Sequence, residues 1–252
     1  MTTYDATGDA AGTAVPRVRS HRVAKATQVI GEIMLSLGVV LLLLVVYQLF
    51  WTGVETHRAQ HTITDDLYAQ WGVIPPGGSG LGVGPAKEPE LRQFEEGEGI
   101  GFLRIPALGA DYAWAVVEGT SLDDLARGPG HYVGTALPGE IGNFAVAGHR
   151  ATHGAPFAEF DDLSIGDPVV VETATKWYTY TIFDIQKPVP IDSMWATAPD
   201  PQNPGAAPTV AKMTLTTCYP KWASTSRYLV FTELTETLDK APGVIPAALQ
   251  TP

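Results

Sequence analysis

Cysteine is almost missing from this chain: Cys218 is the only one in 252 residues. A single thiol closes no internal disulfide and builds no multi-thiolate metal site. It is either a small buried apolar side chain or a nucleophile. Doing without disulfides suits a cytosolic protein, and equally an extracytoplasmic bacterial protein that needs no such staples. Positive charge is scarce as well. There are 16 Lys and Arg against 27 Asp and Glu, a formal net charge of −11. That balance argues against nucleic acid as a partner and against tight binding to anionic surface polymers. A zinc-protease helix is also lacking. His149 and His153 have the H-x-x-x-H spacing, but Arg150 stands where that motif needs Glu, and Gly154 and Pro156 oppose a helix. No metal and no cofactor is expected. There is no internal repeat.

Long apolar runs are limited to residues 33–51, where no charge interrupts a Leu- and Val-rich stretch. A helix of roughly 20 apolar residues crosses a bilayer core. Tyr47 and Trp51 near one end suit an interfacial aromatic belt. Arg17, Arg19, Arg22 and Lys25 precede the run, and only Arg58 closely follows it. The positive-inside rule then places the N-terminus in the cytoplasm and the rest outside, as a single-pass type II protein of the plasma membrane. A cleaved signal peptide would have a shorter apolar region, about 7–15 residues, followed by a small-residue cleavage site. Trp51-Thr52-Gly53-Val54-Glu55 is a poor one.

The flanks complete the organisation. Residues 1–28 read as a disordered basic tail, small and polar at the start. The transmembrane anchor covers residues 29–52. Residues 53–98 read as a juxtamembrane helix and a linker. Ile63, Leu67, Tyr68 and Trp71 recur at near-helical spacing, and Pro75-Pro76-Gly77-Gly78-Ser79-Gly80 marks flexible chain. A β-rich domain is expected over 99–237 and a tail over 238–252. A protein beginning near Glu98 is expected to fold by itself.

Within that domain, short apolar or alternating segments lie at 102–105, 112–117, 143–147, 169–172, 177–185, 210–218 and 227–234. Gly and Pro turns separate them. Seven or eight short strands argue for an all-β sandwich or closed barrel. Short helices fit at 121–126 and 156–163. Ser121 is a good N-cap for the first, with Asp123 and Asp124 in its first turn.

Three residues in this domain have chemical potential. Cys218 ends the strand Thr214-Leu215-Thr216-Thr217-Cys218, just before Pro220 stops the pairing. By period two it shares a polar face with Thr214 and Thr216, whereas Met213 and Leu215 face the core. Arg227 opens the next segment, so a hairpin would bring it beside Cys218. His149 ends the apolar segment 143–147, on the face of Ala145 and Ala147, whose small side chains leave room for it. Each residue alone has a bland alternative: a packing thiol, a surface cation, a loop imidazole.

Taken together, Ala147-Gly148-His149-Arg150, Thr214-Leu215-Thr216-Thr217-Cys218-Tyr219-Pro220 and Arg227 resemble the sortase family, most closely the class E sortases of actinobacteria. The tail, anchor, linker and β-domain follow the same plan. The resemblance implies an eight-stranded β-barrel with short helices, behind one N-terminal transmembrane helix. It implies a cysteine transpeptidase acting on secreted proteins that carry a C-terminal LAXTG- or LPXTG-like sorting signal. Such an enzyme cuts between Thr and Gly and joins the new carboxyl end to an amine of a cell-wall precursor. Cys218 would be the nucleophile, His149 the general acid and base, and Arg227 the oxyanion partner. Thr217 and Tyr132 are candidate substrate-binding residues, and the enzyme is expected to be a monomer. Two alternatives stand beside this reading. One is a pilus-type or class D sortase. The other is a non-catalytic, membrane-tethered barrel that binds peptides.

Overall fold

Helix α1 spans Val18–Val46 and takes up the apolar run as far as Val46. Its segment Val23–Val46 is long and apolar enough to cross a membrane, and its side chains are all exposed. At 1.5 Å per residue, 24 residues reach about 36 Å, more than the roughly 30 Å of a hydrocarbon core. Our computed structural model describes residues 18–72 and 94–250. The start of the expected tail and most of the expected linker lie outside those residues. The last part of the expected tail, from Val18, is helical. The chain divides at Val46 into this helical unit and a larger one.

The larger unit opens with one turn of π-helix, Tyr47–Trp51, and then helix α2, Thr52–Trp71. Gly72 ends α2 in the left-handed conformation, φ 64°, and its N–H closes the last turn onto Ala69. This is the helix expected within residues 53–98, and it packs on the barrel wall. Ile63, Leu67, Tyr68 and Trp71 are buried with Phe102, Ala115, Val117 and Ala174. Polar groups fasten the same face. The Gln60 amide donates to the carbonyls of Ala115 and Arg127, at 3.0 and 2.9 Å, and accepts from the Ala115 N–H at 2.8 Å. The Thr56 hydroxyl donates to the Ala126 carbonyl at 2.7 Å. Gly99 is a glycine for a related reason. A Cβ there would meet Ile63 and Leu67 at 2.9 Å. Periodicity found this helix, but periodicity does not say what covers its apolar stripe.

Eight strands follow. They are β1 Gly99–Arg104, β2 Ala113–Glu118, β3 Gly130–His131, β4 Gly142–Ala147, β5 Pro168–Glu172, β6 Lys176–Val189, β7 Ala211–Tyr219 and β8 Ser226–Asp239. They close a barrel in the order β1-β2-β3-β4-β7-β8-β6-β5. The pairs β2–β3 and β4–β7 are parallel, and the others are antiparallel. Closure leaves no free sheet edge. Alternate side chains fill the interior, among them Leu103, Val116, Phe144, Val146, Met213, Leu215 and Val230.

Between β2 and β3 lies α3, Leu122–Arg127, with the expected N-cap. The Ser121 hydroxyl accepts from the Asp124 N–H, and the Asp124 carboxylate accepts from the Ser121 N–H. The helix expected over 156–163 is only a 3-10 turn at Phe160–Asp162. Phe157 and Phe160 stack there at 4.3 Å and plug the barrel. Packing, rather than helix period, sets their spacing.

Candidate active site

The β4 and β7 strands run side by side and parallel, with Ala147 opposite Thr216. The pairing continues past the end of β4. The Gly148 N–H donates to the Thr216 carbonyl at 3.1 Å, and the Thr217 hydroxyl donates to the Gly148 carbonyl at 2.7 Å. His149 and Cys218 are the next residues on their strands, so the ladder carries them to one end of the barrel. On the other side of β7, the antiparallel β8 sets Arg227 directly opposite Cys218. Arg227 Nη1 lies 3.8 Å from Cys218 Sγ. Sulfur accepts hydrogen bonds at longer range than oxygen, and among the described residues this is the one hydrogen bond to the thiol. Cys218, His149 and Arg227 are all half-buried, within reach of solvent.

Tyr132 arrives from the turn after β3. Its N–H donates to Ala145 at 2.9 Å, and the Thr135 N–H and hydroxyl donate to its carbonyl at 3.0 and 2.8 Å. Burial holds the Tyr132 phenol protonated above the ordinary tyrosine range. Arg227 opposes that shift and Cys218 adds to it, so the phenol lies within the electrostatic reach of both. Beneath this turn, His131 is buried between the Glu118 carboxylate, 2.7 Å from Nδ1, and the Thr135 hydroxyl, 2.7 Å from Nε2. His131, to which the sequence assigned nothing, thus supports the loop that presents Tyr132.

His149 does not stand alone either. Its ring stacks on His153 with centroids 4.6 Å apart. Burial, and then the charge of His153, lowers the His149 pKa below its ordinary 6.5. Burial lowers His153 too, against the opposing pull of Glu55 on α2. The two histidines that suggested a zinc pair form a ring stack. Among the described residues, no three His, Cys, Asp or Glu side chains gather as a metal site would need.

A cleft runs from this end along the outer face of β4, β7 and β8. Tyr132, Ala145, Thr214, Thr216, Arg227 and Leu229 form its floor. Ile191, Ser193, Met194, Ala196 and Thr197, from the connection between β6 and β7, form a wall. Asn143 pins that wall, donating from its amide to the carbonyls of Ala196 and Ala198 at 2.9 and 3.0 Å. Thr217 is not along the cleft. It sits on the inner parity of β7, buried, with its hydroxyl on Gly148. The cleft wall escaped the sequence reading. Its one signal is the group Ile191, Met194 and Trp195 in an otherwise Pro- and Ala-rich connection.

Residues 103–235 match the sortase domain family. The chain belongs to the sortase family of cysteine transpeptidases. It is 35% identical to sortase SrtE1 of Streptomyces coelicolor over 90% of this chain, and that match spans 65% of the relative's length. It is 36% identical to sortase SrtE2 of the same organism over 88% of this chain and 87% of that one. Among solved structures, sortase E from Streptomyces avermitilis is 37% identical, with a TM-score of 0.56 over 62% of this chain and 99% of that one. Sortase E1 from S. coelicolor, solved with a tripeptide in the active site, is 35% identical, again with a TM-score of 0.56, over 62% and 99%. These relatives are class E sortases, as the sequence resemblance implied.

Proposed function

We propose that this sortase is a membrane-anchored transpeptidase with Cys218 as its nucleophile. The Arg227 guanidinium 3.8 Å from the thiol sulfur, directly across the β7–β8 ladder, is the observation that carries this reading. A peptide with a LAXTG- or LPXTG-like sorting signal lies in the cleft with its Thr carbonyl over Cys218. The thiolate attacks that carbon and forms a C–S bond. Charge then builds on the carbonyl oxygen, where the fixed guanidinium stabilises it. The Thr–Gly bond breaks as His149 gives its proton to the departing Gly nitrogen, because an unprotonated amide nitrogen leaves poorly. In the second half an amine of a cell-wall precursor attacks the thioester. His149 now takes the amine's proton, an amide forms, and Cys218 departs as thiolate. The lowered pKa of His149 favours the neutral imidazole that this second half needs.

Tyr132, at the floor of the cleft, offers its protonated hydroxyl to the peptide backbone. Thr217 serves by holding Gly148, and with it His149, against the strand of Cys218. The tripeptide in the active site of the S. coelicolor relative supports a peptide ligand for this cleft. Helix α1 would be the anchor. The basic residues Arg17, Arg19, Arg22 and Lys25, which precede the apolar run in sequence, put the N-terminus in the cytoplasm and the barrel outside.

The test is mass spectrometry of the protein mixed with a sorting-signal peptide. A peptide thioester should form on Cys218, and an added amine should discharge it. Cys218→Ala should form no adduct and keep its circular dichroism, since the thiol sits at a strand end rather than in the core. An adduct on another residue would overturn Cys218 as the nucleophile, and peptide bound with no adduct would replace this reading with the non-catalytic peptide-binding barrel.

A further inference from the structure

Arg150 is 1% exposed, although it carries a charge and follows His149 directly in sequence. Its Nη2 donates to the carboxylate of Asp161. Its Nε and Nη1 are buried with no hydrogen-bond partner among the described residues. A buried cation with two idle donors is costly unless something else compensates it. Here two ring faces do. The guanidinium carbon lies 5.6 Å from the centroid of Tyr219 and 5.1 Å from that of Tyr228. Both fall within the range of cation–π attraction, which strengthens when the cation is desolvated. The Tyr228 hydroxyl is tied in turn, donating to the Phe160 carbonyl at 2.7 Å.

The sequence positions of these residues form a pattern. Arg150 follows His149, Tyr219 follows Cys218, and Tyr228 follows Arg227. Successive residues on extended chain point to opposite faces. The side chains of His149, Cys218 and Arg227 therefore lie on the outside of the barrel wall, and their three C-terminal neighbours meet behind it. Those neighbours come from β7, β8 and the chain leaving β4, and Arg150 touches both of the others.

We infer that Arg150 is a positioning residue, the centre of a buried Arg150–Tyr219–Tyr228 cluster that fixes His149, Cys218 and Arg227 relative to one another. An aliphatic side chain could fill the same space, but it would not attract two rings at once. A displacement of about 1 Å among reacting groups can cost roughly 10²-fold in rate. The cluster therefore acts on turnover rather than on peptide affinity, because it does not line the cleft. The inference rests on the proposed catalytic roles of the outer three residues.

The experiment compares the full-length protein in detergent with Arg150→Met and Arg150→Lys, using a fluorescence-quenched Leu-Ala-Glu-Thr-Gly peptide. Rates are expressed per folded molecule, from melting curves in the same buffer. Arg150→Met should lower kcat by about 30-fold or more with KM within about twofold. Arg150→Lys keeps the charge but loses the planar face that two rings can share, and should lose about tenfold. Normal kcat per folded molecule in both variants overturns the inference, as does a loss confined to KM. If Arg150→Met does not fold, Tyr219→Leu decides. It removes one ring and leaves Arg150 paired with Asp161. A kcat about tenfold lower supports the cluster, and an unchanged kcat refutes it. The wild-type protein must first show a thioester on Cys218. If it does not, the catalytic reading has failed, independently of Arg150.

Discussion

The barrel has two differently finished flanks. On β1 and β2 the outward side chains include Phe102, Ala115 and Val117, and α2 covers them completely. On β4, β7 and β8 the outward side chains are Ala145, Thr214, Thr216, Arg227 and Leu229, and they face an open cleft. The outward side chains, rather than the backbone, decide the difference. Outward aromatic and branched residues need a cover, which α2 supplies at about 1.5–3 kcal/mol for each large side chain buried. Small and hydroxylated residues tolerate water and leave room for a peptide. One flank therefore serves stability, and the other is the flank on which the proposed chemistry takes place. A change on one should leave the other's property largely intact.

Removing the cover should have the largest effect. A protein beginning at Tyr47 is compared with one beginning at Glu98. The shorter one exposes Phe102 and the other partners of Ile63, Leu67, Tyr68 and Trp71. It should be less stable by at least about 3 kcal/mol in chemical denaturation, and prone to aggregate. Equal stability would mean that α2 is not part of the folded unit.

On the open flank, Arg227→Lys should reverse the pattern. It keeps the charge but replaces a planar fork with a flexible point charge. Turnover should fall roughly 10²–10³-fold, the scale for losing one oxyanion donor, with little change in melting temperature. Near-normal peptide cleavage would show that another group holds the oxyanion.

The smallest effect concerns His153, which lies between the two regions. It stacks on His149, and its N–H faces the Thr52 hydroxyl of α2 at 3.4 Å. Its charge is the second cause of the lowered His149 pKa, after burial. His153→Ala removes a like charge, so the His149 pKa should rise part of the way toward 6.5 and stay below it. An NMR titration of the His149 ring protons checks the direction. No shift, or a downward one, would show that the stack is not electrostatically coupled.

The sequence announced the outer site better than its surroundings. Cys218, Arg227 and His149 stood in phrases that carry their chemistry, and strand alternation alone put Cys218 with Thr214 and Thr216. Seven of the eight strands were visible as apolar or alternating segments, most of them ended by Gly or Pro. The eighth, Gly130–His131, is two residues long and has no period to detect. It exists because its neighbours β2 and β4 hold it from both sides. The Phe157–Phe160 plug read as a helix because its apolar spacing happens to match one. The docking of α2, the cleft wall from Ile191 to Thr197 and the ring cluster around Arg150 all depend on contacts between distant segments. Local pattern does not encode such contacts.

The docking of α2 also makes that helix part of the folded unit of the barrel. Gly99, at the start of β1, packs against Ile63 and Leu67 of the same helix. These contacts join segments far apart in sequence, so side-chain packing holds α2 at a fixed distance from the cleft.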